Sequence, residues 1–325
     1  MRHLPPRRGA SRITALAVLL ALTTCTEDRG PFAPGKRWLT PTGQVSADPP
    51  VLFVGAGDIA GCSSTGDELT ADLLDNISGT VFTIGDNVYE SGTSTEYANC
   101  YHPNWGRHKA RTKPAPGNHE YNTANATGYF NYFAAAAGEP GKGYYSYDLG
   151  DWHIIVLNSS GGSAGTNVSM SAGSAQGQWL SADLAASNKL CTLAYWHHPL
   201  YSSVAGSGSG GVTDSRRRPA WDTLYAHGAD VVLGGHRHIY ERQAPQKPDG
   251  TQDAAFGIRG FVVGTGGISH INPTNVTANS EVRNGDTYGV LKLWLYSDGY
   301  AWKFVPVAGM TFSDSGAAAC HAAPG

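Results

Sequence analysis

The chain has 325 residues, 41% of them hydrophobic and 15% charged, with 42 Gly and a formal net charge of −3. That length holds one large domain or two small ones, and sparse charge with abundant Gly suits a compact, loop-rich secreted protein. With neither a basic stripe nor an Arg/Lys-rich arm, the chain offers no electrostatic footprint for nucleic acid.

The first stretch reads as a targeting signal. Arg2, Arg7, Arg8 and Arg12 precede an apolar run from Ile13 to Leu22 that is too short to span a bilayer. Leu22-Thr23-Thr24-Cys25 resembles the lipobox of bacterial lipoproteins. Two readings stand: lipidation of Cys25 as an N-terminal anchor, or ordinary signal-peptidase cleavage nearby. Residues 1–25 are set apart as signal. Residues 26–50, rich in Pro, Gly and charge without periodicity, read as a linker, and 51–325 as the folded domain. No later apolar run is long enough to cross a membrane. The expected location is outside the cytoplasm: secreted, periplasmic or lipid-anchored at the cell envelope. Export leaves Cys62, Cys100, Cys191 and Cys320 as an even set in an oxidising compartment. Of the three connectivities, Cys62–Cys100 with Cys191–Cys320 is favoured. The first pair lies in loops after the first two strands, and the second would pin the C-terminal tail.

Val51–Gly57 is the first strand, and Thr65-Gly66-Asp67-Glu68 is a capping-box pattern opening a helix to about Asn76. A short buried strand follows at Val81–Ile84, then a long aromatic loop from Glu90 to Lys109, then an extended run at Lys113–Gly117. Tyr129–Ala137 reads as a helix. Tyr144–Tyr147 and His153–Leu157 read as paired strands turning at Gly150-Asp151. A Gly/Ser-rich loop, 159–174, leads to a helix at Ala175–Ala186 with Trp179, Leu180 and Leu184 inward. Beyond the Leu193–Trp196 strand and a second loop at 204–211, a helix is expected at Pro219–His227. Val231–Leu233, Ile258–Val263, Gly289–Tyr296 and Tyr300–Val305 complete the strands, the last two joined at Ser297-Asp298-Gly299. The βαβα front and β-rich back imply an α/β fold with two sheets packed face to face and flanked by helices.

Five runs end in ligand-type residues: Asp58, Asp86, Asn118-His119-Glu120, His197-His198-Pro199 and Gly235-His236-Arg237-His238. Ligand and catalytic groups collect at the carboxyl edges of strands in such sheets. Asp86 has two oxygens and can bridge two cations, while a Tyr89 phenolate suits a hard trivalent ion.

Gly57-Asp58, Gly85-Asp86-x-x-Tyr89, Gly117-Asn118-His119-Glu120, His197-x-Pro199 and Gly235-His236-x-His238 resemble the ordered motifs of the calcineurin-like metallophosphoesterases. Tyr89 and the run from Gly235 to Arg242 resemble the purple acid phosphatase branch. The resemblance implies a four-layer αββα fold with two packed mixed sheets, and a dinuclear centre. Fe(III) would take Asp58, Tyr89 and His238. Divalent Fe, Zn or Mn would take Asn118, His197 and His236, with Asp86 between the two ions. Where the family commonly has Gly two residues after the first Asp, and the wider superfamily has His, this chain has Ala60; Tyr89 compensates for that loss.

The implied activity is hydrolysis of phosphate monoesters by a metal-held hydroxide, with His119 protonating the leaving group or hydrogen-bonding the phosphate. Glu120 is expected to orient His119. The alternatives are a phosphodiesterase of the same superfamily and a non-catalytic metal-binding surface module. His198 has two readings, substrate contact or packed rim residue. His102 and His108 are candidates for the pocket wall, and His270 for a reach into the site. His153 reads as a satisfied histidine, and Tyr240-Glu241-Arg242 as a brace for its strand. Arg237, taken as extended, is expected to point away from its two neighbouring ligands.

Overall fold

The structure is a computed structural model that describes residues 49–160, 168–204 and 213–325, with 1, 38–39, 41–43 and 45–46 beside them. Residues 2–25 of the expected leader, Cys25 included, lie outside the described residues, as do parts of the linker and of the two Gly/Ser-rich loops.

Two mixed sheets form the centre. One has six strands in the spatial order Ser315–Ala319, Gly299–Pro306, Gly289–Tyr296, Val51–Ala56, Thr80–Ile84, Thr112–Ala115. The other has seven, in the order Ser280–Asn284, Tyr240–Gln243, Arg259–Val263, Val231–Gly234, Cys191–Tyr195, Trp152–Val156, Tyr145–Leu149. Each holds a parallel core, Val51–Ala56 with Thr80–Ile84 and Thr112–Ala115 in the first, and Trp152–Val156 with Cys191–Tyr195, Val231–Gly234 and Arg259–Val263 in the second. Parallel strands covered on both faces read as continuous apolar runs, which is why these were visible in the sequence.

The sheets meet through large side chains. Phe53 and Phe82 of the first have ring centroids 4.6 Å apart, and Tyr195 of the second lies 6.0 Å from each. Along Trp152–Val156, Ile154 and Val156 face this inter-sheet core. Ile155 faces the other way, onto a cluster with Leu180 and Leu184 of the Ala175–Ala186 helix and Trp221 and Leu224 of the Arg218–Ala226 helix. Helices Gly66–Asp75 and Thr127–Phe133 lie with the first sheet, giving the four layers expected.

Both disulfides form as favoured, Cys62–Cys100 and Cys191–Cys320. The second gathers the base of the molecule, at the amino ends of the parallel strands. There the Cys320 N–H donates to the Asp298 carbonyl at 2.8 Å, and the Thr42 hydroxyl bonds the Asp298 carboxylate.

Several local expectations change. The Gly66–Asp75 helix begins where expected, but Thr65 makes no side-chain cap; the Ser64 hydroxyl accepts the Gly66 N–H instead, at 3.2 Å. A true capping box occurs at Thr93 and Glu96. It opens a run of short helical pieces to Arg111 where a long loop was expected. The 129–137 helix is cut at Phe133 and continues as a 3₁₀ turn. Tyr240–Gln243, Ser280–Asn284 and Ser315–Ala319 are strands that sequence reading missed.

Tyr240-Glu241-Arg242, expected only to brace a strand, is part of one. Tyr240 Oη and Arg242 Nε each donate to Asp314 at 2.7 Å, and Glu241 accepts the Ser203 N–H at 2.8 Å.

Candidate metal centre

The five motif segments converge at one edge, where the parallel strands of both sheets end. Asp58, Asp86 and His236 all have positive φ, 60°, 47° and 65°, in the left-handed region that L-residues seldom adopt. Three such residues in one cluster of turns fit a functional site that holds backbone strain. Gly85, with φ 80°, lies so close to the Asn118 loop and to His197 that a Cβ there would be 2.7 Å from the Gly117 nitrogen and 2.8 Å from His197 Cβ. A Cβ on Gly117 would strike the Asp86 carboxylate. These two glycines let three motifs touch.

One group of donors is oxygen-rich. Tyr89 Oη is 2.9 Å from Asp58 Oδ1, 3.1 Å from Asp86 Oδ2 and 3.3 Å from His238 Nε2. His238 Nε2 is also 3.3 Å from Asp58 Oδ1, while its Nδ1 is 2.7 Å from the Ser269 hydroxyl. Ala60-Gly61 pairs with Val88-Tyr89 in a small parallel ladder, so the chain at the family's usual Gly or His position helps to place Tyr89. Burial, with the Asp58 and Asp86 charges, pushes the Tyr89 phenol well above its ordinary range.

The second group is rich in imidazole. His197 is fully buried; its Nδ1–H donates to the Ile84 carbonyl at 2.8 Å, and its Nε2 lies 2.9 Å from Asp86 Oδ2. Burial works to lower the His197 pKa, but Asp86 and Asp58 push it up to about 9. The His236 N–H donates to Asp58 Oδ2 at 2.7 Å, and its ring lies 5.1 Å from that of His197. Burial and the His197 charge push His236 down to about 3. Burial works to raise Asp86, yet His197 and His119 hold it below the ordinary carboxylate range. Asn118 belongs to a loop that clasps Asp86 on both sides, through the close approach of Gly117 and through the His119 N–H, which donates to Asp86 Oδ1 at 2.9 Å.

These residues fit a pair of cations. The buried Asn118 Oδ1 lacks any hydrogen-bond partner among the described residues, an unusual cost unless another group satisfies it. Asp58, Asp86 and His197 present ligand atoms within 4.8 Å of one another, as do His197, His198 and His236. Carboxylates and a phenol beside His238 suit a harder ion, and an amide oxygen with two imidazoles a borderline one.

Around this core, two expectations need correction. Glu120 does not orient His119. Its buried carboxylate accepts the backbone N–H groups of Asp86 at 3.0 Å, Asn87 at 2.8 Å and Gly117 at 2.6 Å, together with the Tyr97 hydroxyl at 3.1 Å. It therefore clamps the Asp86 turn. His119 is held instead by the Glu90 carbonyl, 2.7 Å from Nδ1, and its ring lies 4.2 Å from that of Tyr89 with Nε2 3.9 Å from Asp86 Oδ2. Arg237 lies on a bend, not on extended backbone, so alternation does not set its direction.

The other histidines sort by partner. His198 lies at the site, its ring 4.4 Å from His236 and its Nδ1 2.9 Å from the Ser159 hydroxyl. His102 bonds Tyr132, and His108 packs against Asp75 and Arg111; both serve the helical run and not a pocket wall. His270 stacks on Tyr288 with ring centroids 3.9 Å apart, and His238 is among the charges acting on it. Ser159 and Ser269 were missed; a lone Ser in a loop carries no sequence signal for steadying a histidine.

His153 is satisfied, 3.1 Å from Asp148 and 2.8 Å from Asp183. Burial works to lower it, but the two carboxylates carry it above its ordinary 6.5, while burial raises and His153 lowers Asp183 to a net value under 3.8. The His153 contribution to stability is complete below pH 6.5 and fades as pH rises through the raised value. That of Asp183 is complete above pH 3.8 and fades as pH falls through the depressed one. Asp183→Asn should therefore cost about 1 kcal/mol near pH 5.5 and less near pH 9. Urea unfolding at both values checks this, and an equal cost would contradict it.

Comparison with known proteins gives the same architecture. Residues 46–240 match the family model for calcineurin-like phosphoesterases. Purple acid phosphatase 15 of Arabidopsis thaliana is 29% identical over 220 residues, 57% of this chain and 40% of that protein. Purple acid phosphatase 23 of the same plant is 28% identical over 59% of this chain and 47% of its own length. The chain thus spans less than half of these relatives. Among solved structures, a purple acid phosphatase from yellow lupin (Lupinus luteus) seeds superposes with a TM-score of 0.62 at 21% identity, covering 82% of this chain and 53% of that one. PhoD superposes at 0.54 with 14% identity, over 83% of this chain and 69% of its own.

Proposed function

From the premise that this chain belongs to the calcineurin-like phosphoesterase family, we propose that it is an exported, binuclear metal-dependent phosphoesterase, a purple acid phosphatase-like phosphomonoesterase. The observation that carries the reading is the convergence on Asp86 Oδ2 of Tyr89, which also meets Asp58 and His238, and of His197, whose ring lies 5.1 Å from that of His236, with Asn118 Oδ1 orphaned in the loop that clasps Asp86.

In this reading Asp58, Tyr89 and His238 would hold a ferric ion and Asn118, His197 and His236 divalent Fe, Zn or Mn, with the Asp86 carboxylate common to both sets. Such a pair supplies Lewis acidity toward phosphoryl oxygens and lowers the pKa of the attacking water. The Ile84 carbonyl and Ser269 hydroxyl fix the rings of His197 and His238, and Glu120 fixes the turn that aims Asp86. His119, donating from Nδ1 to the Glu90 carbonyl and 24% exposed at its side chain, presents Nε2 to the open face; as the imidazolium it carries a second proton there, which passes to the leaving oxygen and leaves the neutral ring with its hydrogen on Nδ1. His198 offers a further contact to substrate. The two disulfides support export, with 1–25 as the signal and 51–325 as the catalytic unit.

The test is hydrolysis of a phosphate monoester and of a bis-ester, with metal content measured. Turnover of the monoester with two ions per chain is expected. Preference for the bis-ester would make the protein a diesterase, and no turnover by fully metallated protein would leave a non-catalytic metal module. Tyr89→Phe should abolish the visible phenolate-to-iron absorption of the iron-loaded protein while iron remains bound. A persisting band would remove Tyr89 from the ligand set.

A further inference from the structure

Beside the imidazole-rich side of the metal face, Arg216 and Arg217 share one carboxylate, Asp214, and Arg237 stands in the adjoining turn. Thr213 bridges Tyr201 in antiparallel fashion, and the Asp214 N–H donates to the Leu200 carbonyl at 2.8 Å. The segment holding the arginines is thereby laid along the chain that has just left His197 and His198. Asp214 is taken by Arg216 through Nε and Nη2, both at 2.8 Å. Arg217, 3% exposed, reaches the same carboxylate only at 3.4 Å, and its Nε has no hydrogen-bond partner among the described residues. Arg237 stands between His236 and His238, with Asp214, Asp58 and Arg216 among the charges acting on it.

A buried guanidinium with an N–H left unmet is costly unless another acceptor completes it. Here the local excess of positive charge stands out against a chain of net charge −3. The neighbouring ring points the same way. The Ser159 hydroxyl oxygen accepts the His198 N–H at 2.9 Å, and among the described residues its own hydrogen has one partner, His198 Nδ1, also at 2.9 Å. With the Ser159 hydroxyl donating to Nδ1, the ring hydrogen of His198 stands on Nε2, a donor beside His236.

Resting on the phosphoesterase reading, we infer that Arg217, Arg237 and the Nε2–H of His198 form an anion subsite next to the metal pair, which takes a second phosphate carried by the leaving group of the substrate. The preferred class is then esters and anhydrides in which another phosphate lies close to the scissile one. Guanidinium forks match phosphate oxygens in pairs, whereas a substrate with one phosphate leaves them unused.

The test is calorimetric binding of two non-hydrolysable probes, methylphosphonate and methylenediphosphonate, to the metal-loaded full chain, with metal content measured after each titration. Wild type should bind the diphosphonate at least about tenfold tighter than the monophosphonate. Arg237→Gln should cut that ratio about tenfold with the metals retained, and Arg237→Lys should restore part of it. Arg217→Gln gives a second reading of the same ratio. A ratio unchanged in both glutamine variants overturns the subsite. Phenyl phosphate turnover, followed in parallel, separates the two conclusions. Turnover with an unchanged ratio removes the subsite alone, and an arginine-dependent ratio without turnover removes the hydrolase reading alone.

Discussion

Asp86→Ala should leave the protein with neither ion and with activity down by about 10³-fold or more. Asp86 Oδ2 is shared by Tyr89 Oη at 3.1 Å and His197 Nε2 at 2.9 Å, so it is the one carboxylate common to both donor groups. Each group without it has too few anionic donors to hold its cation against water. The charge stabilisation lost with the metals amounts to several kcal/mol, and each 1.36 kcal/mol is a factor of ten in rate. Plasma emission analysis should fall from two ions per chain to a trace, and retention of both at full occupancy would refute the bridging role. Asp86→Asn, which keeps the shape and the acceptor for the His119 N–H, separates loss of charge from collapse of the turn.

His119→Ala should do the opposite: keep both ions and lose on the order of 10²–10⁴-fold in kcat, the range for a positioned acid or base. Its side chain touches the Glu90 carbonyl and the Tyr89 ring, while its link to Asp86 runs through the backbone N–H, which alanine preserves. The loss should shrink for substrates whose leaving group is already a weak base, because such an oxygen leaves without a proton. Equal losses for good and poor leaving groups would place His119 on the phosphoryl group rather than on the departing oxygen. Loss of metal in this variant would make His119 part of the metal cradle.

The site was legible because its residues terminate strands buried on both faces. Such strands are unbroken apolar runs in the sequence, and the Gly-Asp, Gly-Asn and Gly-Gly-His junctions mark where each must turn. What stayed hidden was held by contacts distant in sequence. Glu120 stands next to His119, and adjacency suggested that they touch. A 3₁₀ turn at Glu120–Asn122 instead sends the carboxylate back to the Asp86 and Asn87 amides. Ser280–Asn284 and Ser315–Ala319 are edge strands, mostly exposed or half-exposed, which take their conformation from a neighbouring strand and need no apolar face. The Thr65 capping pattern predicted the right helix for a partly wrong reason, since Ser64, one residue earlier, meets the free amide.

The Asp298 corner has a consequence for how this protein is presented to its surroundings. The Gly289–Tyr296 strand runs antiparallel to Val51–Ala56, with Leu295 opposite Val51 and Leu291 opposite Gly55. The corner where Thr42 docks thus lies a strand's length, roughly 3.3 Å per residue, from the rim that bears Asp58. Thr42 therefore marks the floor of the molecule. A solid support coupled at Thr42 would leave the rim that bears Asp58 turned toward the medium.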